Sequence, residues 1–494
     1  MIKKIPYISV VILVLFILSG CNQQQVGNVI NNLRNSVIKV TAPKSVATKL
    51  NQPINATIIF SAPAGVTFNS FRITSGLNPL PPGWSSAVNT FSCPTVTNGN
   101  GCSLTLTFNP TDKSQKGTLT LNFSYASGFG SFTKQNTGSV NIPYFVSSST
   151  IHVPATQFGV LNNCPYKVWF QSIDGSGLNA PIVGLNKGES YDYAINGQFV
   201  NSFRVWPKTG CDESGNNCTI GQSSNPCPSG GNGCAPPIDS KFEGTFNAPG
   251  NSNVTSYDGS LVDGFTLPFS IRVTKAANET NSSCLDVEAS NINYATSCPT
   301  TENLSTPYPQ MLAAFGSTYA FGGYNTYGTP PVSLTSVNLM VINPNNGQQA
   351  GCYSPTTKLT YPNNTPGWGG AGIGQGGTGN PAYYNQAIMY SCAFTTSQLT
   401  NGTAPNLPSS PDNQGFLNLS GFCKSVPGQN CNDGVPNGPA AHDICGLGPV
   451  PNTQYVNYVH ANTHNLYAFA YDDTNGNLSC NESATKIAFI TCPE

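Results

Sequence analysis

Apolar and polar positions alternate with a period of two over short stretches of the first third of the chain. Residues 36–40, 54–60, 104–108 and 119–125 either alternate or are rich in β-formers, which is the pattern of half-buried strands. Asn98-Gly-Asn-Gly101 is a turn signal lying between Cys93 and Cys102, and it predicts a disulfide across a hairpin. Beyond the Ser/Thr run at 147–150, read as a linker, the apolar stretches are again strand-length. They are interrupted by Gly/Pro/Asn loops at 363–382 and 401–416. No repeat of fixed period is present. The longest apolar run, 5–18, stands at the N-terminus behind Lys3 and Lys4, and it is short for a membrane span.

Composition sharpens this picture. The 494 residues are enough for roughly two to four domains. Only 8% are charged, with 20 Lys+Arg against 21 Asp+Glu, and that balance argues against a nucleic-acid partner. With 50 Gly and 39 Pro and few strong helix formers, the expected class is all-β. Seventeen cysteines suit an exported, disulfide-bonded protein. Residues 37–148 hold few charges and no His, and are expected to form an immunoglobulin-like sandwich acting as a spacer, with glycan or protein binding as the alternative.

Leu18-Ser-Gly-Cys21 follows the apolar run and resembles the lipobox of bacterial lipoproteins. The resemblance implies a signal peptide over 1–20 and an acylated Cys21 as membrane anchor; the polar composition of the residues that follow is read as a tether over 21–36. Setting Cys21 aside leaves an even number of cysteines, and removing Lys3 and Lys4 takes the net charge to about −3. Asn22 after the Cys implies the outer membrane or cell surface of an exported lipoprotein.

Six segments then recur in one order. They are Phe158-Gly-Val-Leu-Asn-Asn-Cys-Pro-Tyr-Lys-Val-Trp169, Leu185-Asn-Lys-Gly-Glu-Ser190, Phe203-Arg-Val-Trp-Pro-Lys-Thr-Gly-Cys211 and Lys241-Phe-Glu-Gly-Thr-Phe246. The last two are Tyr257-Asp-Gly-Ser-Leu-Val-Asp-Gly-Phe-Thr-Leu-Pro-Phe269 and Tyr467-Ala-Phe-Ala-Tyr-Asp-Asp473, with Cys480 and Ile487-Ala-Phe-Ile-Thr-Cys-Pro493. Together they resemble thaumatin-like proteins over about 151–494. The likeness is thin between 285 and 455, and the loop after Cys218 is rebuilt. The resemblance implies a flattened β-sandwich with loop-rich, disulfide-stapled subdomains, closed by a C-terminal hairpin. It also implies the pairs Cys164–Cys492, Cys211–Cys218, Cys227–Cys234 and Cys284–Cys480. Cys298, Cys352, Cys392, Cys423, Cys431 and Cys445 are left to pair in an order the sequence does not supply.

The resemblance further implies an acidic cleft built from Arg204, Glu243, Asp258, Asp263 and Asp472, with Asp473 adjoining. Glycoside hydrolysis needs one carboxyl as proton donor and a second as base or nucleophile. Clustered carboxylates repel, so one of them holds its proton. Glu243 is expected as the acid, Asp258 or Asp263 as its partner, and Arg204, Asp472 and Asp473 as saccharide contacts. Read without the family, Glu243 is equally a surface charge or a salt-bridge partner of Arg204, and Asp263-Gly264 and Asp472-Asp473 are equally turn residues.

His460 and His464 have zinc-pair spacing without the usual Glu and read as a satisfied pair. His152 and His442 have no evident partner. Tyr324, Tyr327, Trp368, Tyr383 and Tyr384 lie in the loop-rich wall, as sugar-stacking or packing residues. No phosphate loop or dinucleotide fingerprint occurs, so neither cofactor nor metal is expected. Two functions follow. One is an anchored protein that binds or cleaves a β-1,3-glucan-type polysaccharide. The other is a non-catalytic, protease-resistant surface protein that binds a partner protein or inhibits an enzyme.

Overall fold

The computed structural model describes residues 37–98, 102–127, 133–147, 150–176, 178, 180–222, 238–248, 250, 254–305, 334–343, 347–360, 450–470 and 472–494. Residues 1–36 with Cys21, the pair Cys227–Cys234, Cys392, Cys423, Cys431, Cys445, His442, the five wall aromatics and the loops at 363–382 and 401–416 lie outside them. So do three residues of the 98–101 turn and two of the 147–150 linker. The chain divides into two compact units that meet at Val146 and Ser147.

The N-terminal unit contains β1 (Lys39–Thr41), β2 (Val46–Thr48), β3 (Ile54–Ser61), β4 (Phe68–Ser75), β5 (Trp84–Ser86), β6 (Ser92–Val96), β7 (Cys102–Phe108), β8 (Gly117–Ser127) and β9 (Lys134–Val146). They form two sheets, β1-β3-β7-β5 and β2-β9-β8-β4-β6. Period-two alternation decides what is inside. In β3, Ala56, Ile58 and Phe60 are buried while Asn55, Thr57 and Ile59 face out. Phe60 meets Phe71 and Phe123 of the other sheet at ring separations of 4.4 and 5.3 Å, and Phe108 meets Tyr144 at 5.0 Å. The two inner faces therefore share one core. Cys93 and Cys102 are bonded, but not across a hairpin. Cys93 is on β6, which pairs with β4, whereas Cys102 opens β7, which pairs with β3 and β5. The chain changes sheets between them, so the bridge ties the two sheets together.

The C-terminal unit begins with β10 (Phe158–Asn162), β11 (Val168–Ile173), β12 (Val183–Leu185), β13 (Ser190–Tyr193), β14 (Val200–Thr209), β15 (Lys241–Phe246), β16 (Thr255–Ser260), β17 (Gly264–Phe265), β18 (Phe269–Thr274) and β19 (Val287–Ala289). Short helices α1 (Tyr294–Ser297), α2 (Pro355–Thr360), α3 (Gln454–Asn462) and α4 (Asp473–Gly476) accompany β20 (Met340–Ile342), β21 (Gln349–Tyr353), β22 (Leu478–Cys480) and β23 (Lys486–Thr491). Two large sheets, β13-β10-β23-β18-β19 and β12-β11-β14-β15-β16-β22, enclose the core, and a small sheet β17-β21-β20 lies to one side. Phe158 of the first sheet contacts Phe242 and Phe203 of the second at 4.3 and 5.3 Å.

Bridges Cys164–Cys492, Cys211–Cys218 and Cys284–Cys480 are formed. Cys298–Cys352 ties the end of α1 to β21, a pairing the sequence left open. The expected closing hairpin is absent. β22 pairs with β16 in one sheet, while β23 lies between β10 and β18 in the other, because the turn at 481–485 carries the chain from one layer to the next. In place of a strand, 450–476 supplies α3 and the single turn α4. Thr453 caps α3 by accepting the amide of Val456 at 3.2 Å.

Candidate functional site

The outer face of the six-stranded sheet carries the charged row. Along β14, Phe203 and Val205 point into the core and Arg204 points out. On β15, Phe242 points in and Glu243 out, and on β16, Tyr257 points in. Arg204 is directly opposite Glu243, and Glu243 directly opposite Asp258. Three side chains separated by up to 54 positions thus stand side by side, about 5 Å apart at Cβ as paired strands require. Arg204 Nε meets Glu243 Oε1 at 2.5 Å, and this pair stays open to solvent, with Arg204 47% and Glu243 22% exposed. Further along β14, Trp206 and Lys208 share the same face but are covered. Burial pushes the Lys208 amine down to about 8, against the opposing pull of Asp212, and Lys208 donates to Gln171 Oε1 at 2.9 Å. The open part of the face is therefore the Arg204–Glu243–Asp258 row.

Behind it lies a cation that the sequence reading did not single out. Lys241 is two residues before Glu243, hence on the same face, and its side chain is only 3% exposed. Its ammonium pairs with Asp263, stands 3.2 Å from Asp239 Oδ1 and is 3.9 Å from Glu243 Oε2. Burial opposes the Lys241 charge, but the carboxylates of Asp239, Asp263 and Glu243 outweigh it and hold the amine well above its ordinary value. Asp239 is buried too, which drives its carboxyl up to about 7 against the pull of Lys241. Tyr455 of α3 is buried beside this group and donates to Leu261 O at 2.6 Å. The signal was legible: Asp239, Lys241 and Glu243 are charged residues at alternate positions, which on a strand share one face.

Asp258 differs from its neighbours. Its carboxyl is driven well above the carboxylate range, first by burial and then by the charge of Glu243, with Lys241 and Arg204 acting the other way. Its Oδ1 is buried and accepts no hydrogen bond among the described residues. A buried carboxyl oxygen without a donor favours the protonated acid. Glu243, by contrast, has a cation at each oxygen.

The remaining expected residues divide. Asp263 stands at the edge of the group, held by Lys241 and 38% exposed. Asp472 does not join the open row. It is buried, with Oδ2 2.6 Å from His460 Nε2, and accepts Asn475 Nδ2 and the Ala468 amide. These bonds tie it to the 468–475 segment, away from the open row in which the sequence expects it as a saccharide contact. The adjacent Asp473 lies nearer the row. It raises the Asp258 carboxyl electrostatically and accepts the Tyr467 hydroxyl. His460 and His464 do not converge on a metal: His460 pairs with Asp472, while His464 exchanges backbone hydrogen bonds with Glu288 and its imidazole is pushed down by burial. The clustered acids and two cations suit the binding of an uncharged, hydroxyl-rich chain, and the Asp258–Glu243 contrast suits acid–base chemistry on it.

Residues 162–365 match a family model described as the Thaumatin family. Among curated proteins, the pathogenesis-related thaumatin-like protein 3.2 of Cryptomeria japonica is 33% identical over 28% of this chain and 55% of its own. The chain thus spans about half the length of that relative. The glucan endo-1,3-beta-glucosidase of Prunus avium is 27% identical over 34% of this chain and 68% of its own. Among solved structures, the thaumatin-like xylanase inhibitor matches with a TM-score of 0.21 at 19% identity, covering 27% of this chain and 82% of that one.

Proposed function

We propose that this chain, which carries a thaumatin-family domain, binds a β-1,3-glucan-type polysaccharide along the Arg204–Glu243–Asp258 row and cleaves it with Asp258 as proton donor. The observation that carries the reading is the asymmetry of two directly opposed carboxyls. Glu243 is clamped by Arg204 and Lys241, and Asp258 is half-buried, with one buried oxygen that has no hydrogen-bond partner among the described residues. The roles are reversed from the sequence expectation. A cation-paired carboxylate is the wrong proton source, and the desolvated one is the right one. In a cleavage step, Asp258 gives its proton to the glycosidic oxygen as that bond breaks. Glu243 stabilises the positive charge that develops on the sugar, or activates the incoming water. Arg204 orients hydroxyls and holds the Glu243 side chain in place.

Likeness to the cherry endo-glucosidase adds support. The site test is reducing-end release from linear β-1,3-glucan, with binding measured in parallel. Asp258→Asn is expected to abolish release and spare binding, and the alkaline limb of the wild-type pH profile should follow loss of the Asp258 proton. Full activity in Asp258→Asn refutes the assignment. A second reading, a non-catalytic binder or enzyme inhibitor, is favoured by Lys241, which occupies an oxygen of Glu243 that a base would need. Tight glucan binding with no release in the wild type selects it.

The same proposal extends to the remainder of the chain. Residues 1–20 would be a lipoprotein signal, Cys21 the acylated anchor, 21–36 a tether, 37–148 an immunoglobulin-like spacer and 151–494 the saccharide-active domain, at the outer membrane or cell surface. The immunoglobulin-like reading is supported by nine strands among the described residues, in two facing sheets, and by the order β1-β3-β7 opposite β9-β8-β4. Incorporation of palmitate label into the wild type, and none into a Cys21→Ser variant, tests the anchor.

A further inference from the structure

The overall charge balance conceals two opposed halves. Between 37 and 146 there are seven Lys and Arg against one acid, Asp112, while 147–494 carries ten against twenty. The N-terminal unit is therefore basic in its own right, and a basic unit attracts anions.

One place on it is built for more than diffuse attraction. Ser92 on β6 is opposite Arg72 on β4, Arg72 is opposite Ser124 on β8, and Ser124 is opposite Thr137 on β9. The four share the outer face of their sheet, with Phe71, Phe123 and Tyr125 facing the core beneath. β4 slips register against β8 between Asn69 and Arg72 and again between Ile73 and Ser75, and such bulges bend a sheet. The result is an open groove of about 490 Å³ whose lining adds Gln135 and Asn136. Arg72 donates through Nε to Ser124 Oγ at 3.3 Å. Asp112, the sole acid of the unit, is occupied by the Ser114 amide and hydroxyl, so no carboxylate of the unit competes for the guanidinium.

We propose that this groove is a binding site for a carboxylate-bearing saccharide, with Arg72 taking the carboxylate and the flanking hydroxyls and amides taking the sugar hydroxyls. The chemistry selects this ligand. A guanidinium is a fork that fits a carboxylate, and Ser, Thr, Asn and Gln both donate and accept, as sugar hydroxyls require. An anionic lipid surface would call for a cluster of cations, and the groove holds one. The site is separate in sequence and chemistry from the acidic row on the other unit, and it stands or falls without it.

The test uses the full chain at physiological salt. Its probes are oligogalacturonate, neutral dextran, dextran sulfate and phosphatidylglycerol vesicles, read by calorimetry and co-sedimentation. Oligogalacturonate should bind and dextran should not. Arg72→Gln should weaken oligogalacturonate roughly ten- to a hundredfold, as expected for losing a charge-assisted pair. Arg72→Lys should recover little, because charge returns without the fork. Lys116→Gln removes the same charge elsewhere and should change affinity by less than about twofold. Equal losses in Arg72→Gln and Lys116→Gln overturn the proposal in favour of diffuse attraction, and so does preference for dextran sulfate or for the vesicles. Loss in Glu243→Gln with none in Arg72→Gln would move the site to the other unit and also overturn it.

Discussion

Replacing Lys241 by Met tests the electrostatic core of the acidic site. The ammonium is 3.2 Å from Asp239 and 3.9 Å from Glu243, and pairs with Asp263. At an effective dielectric of about 20, the first two attractions are worth about 5 and 4 kcal/mol before desolvation is counted. Losing them is offset because a buried ammonium no longer has to be dehydrated. Removing one partner of a buried pair typically costs about 3–5 kcal/mol. Here the cost should fall near the lower figure. Asp263 is partly solvated, Arg204 still holds Glu243, and Asp239, already driven to about 7, can take up a proton cheaply.

That escape makes the effect depend on pH. Near pH 8, above the raised value of Asp239, Lys241→Met should lose about 3 kcal/mol. Near pH 4 Asp239 carries its proton and the loss should fall below about 1 kcal/mol. Urea unfolding followed by tryptophan fluorescence reads this, since Trp169, Trp206 and Trp368 all lie in the C-terminal unit. Adding Asp239→Asn to Lys241→Met should restore more than half of the loss at pH 8. A loss of equal size at both pH values, or one below about 1 kcal/mol at pH 8, would refute the view of Lys241 as the counter-charge of a buried acid cluster.

Two further outcomes follow from individual side chains. Asp239 has a folded value raised from 3.8 to about 7. A raised acid contributes stability that is fully present below the ordinary value and is lost as pH rises through about 7. Asp239→Asn should therefore flatten the fall of stability between those limits, by up to about 4 kcal/mol, as measured by unfolding midpoints across pH. An unchanged slope rules the account out. His460→Ala removes the partner of a buried carboxylate and should cost roughly 1–3 kcal/mol. Glucan binding should persist at wild-type level in the folded variant, because Asp472 is a turn ligand; a binding loss without a stability loss would return Asp472 to the site.

How far the sequence could be read depends on the range over which each feature is decided. Arg204, Glu243 and Asp258 lie on strands whose alternation is local, so their shared face was legible once the strands were placed. The choice between Asp472 and Asp473 was not, because neighbouring residues diverge according to the single turn α4, which no periodicity announces. Lys241 escaped notice because a lysine on a strand ordinarily reads as exposed, and its burial is made by Tyr455 and Asp263 from distant segments. The Cys93–Cys102 spacing is that of a hairpin, yet β6 and β7 belong to different sheets, a distinction that alternation does not encode. Cys298 and Cys352 find each other only when β21 is laid against β17, long after local rules have ended.

The position of β23 has a consequence for how this protein is made. Residues 486–491 occupy the middle of a five-stranded sheet, between β10, which precedes them by more than 300 residues, and β18. Until that last strand leaves the ribosome, the sheet is two separate fragments with exposed inner edges, and contacts of such long sequence separation form slowly. The unit has no route to early, stepwise closure during translation. A chain ending before residue 486 would leave those two inner edges unpaired, open to proteases and to association rather than folded into a shortened but working protein.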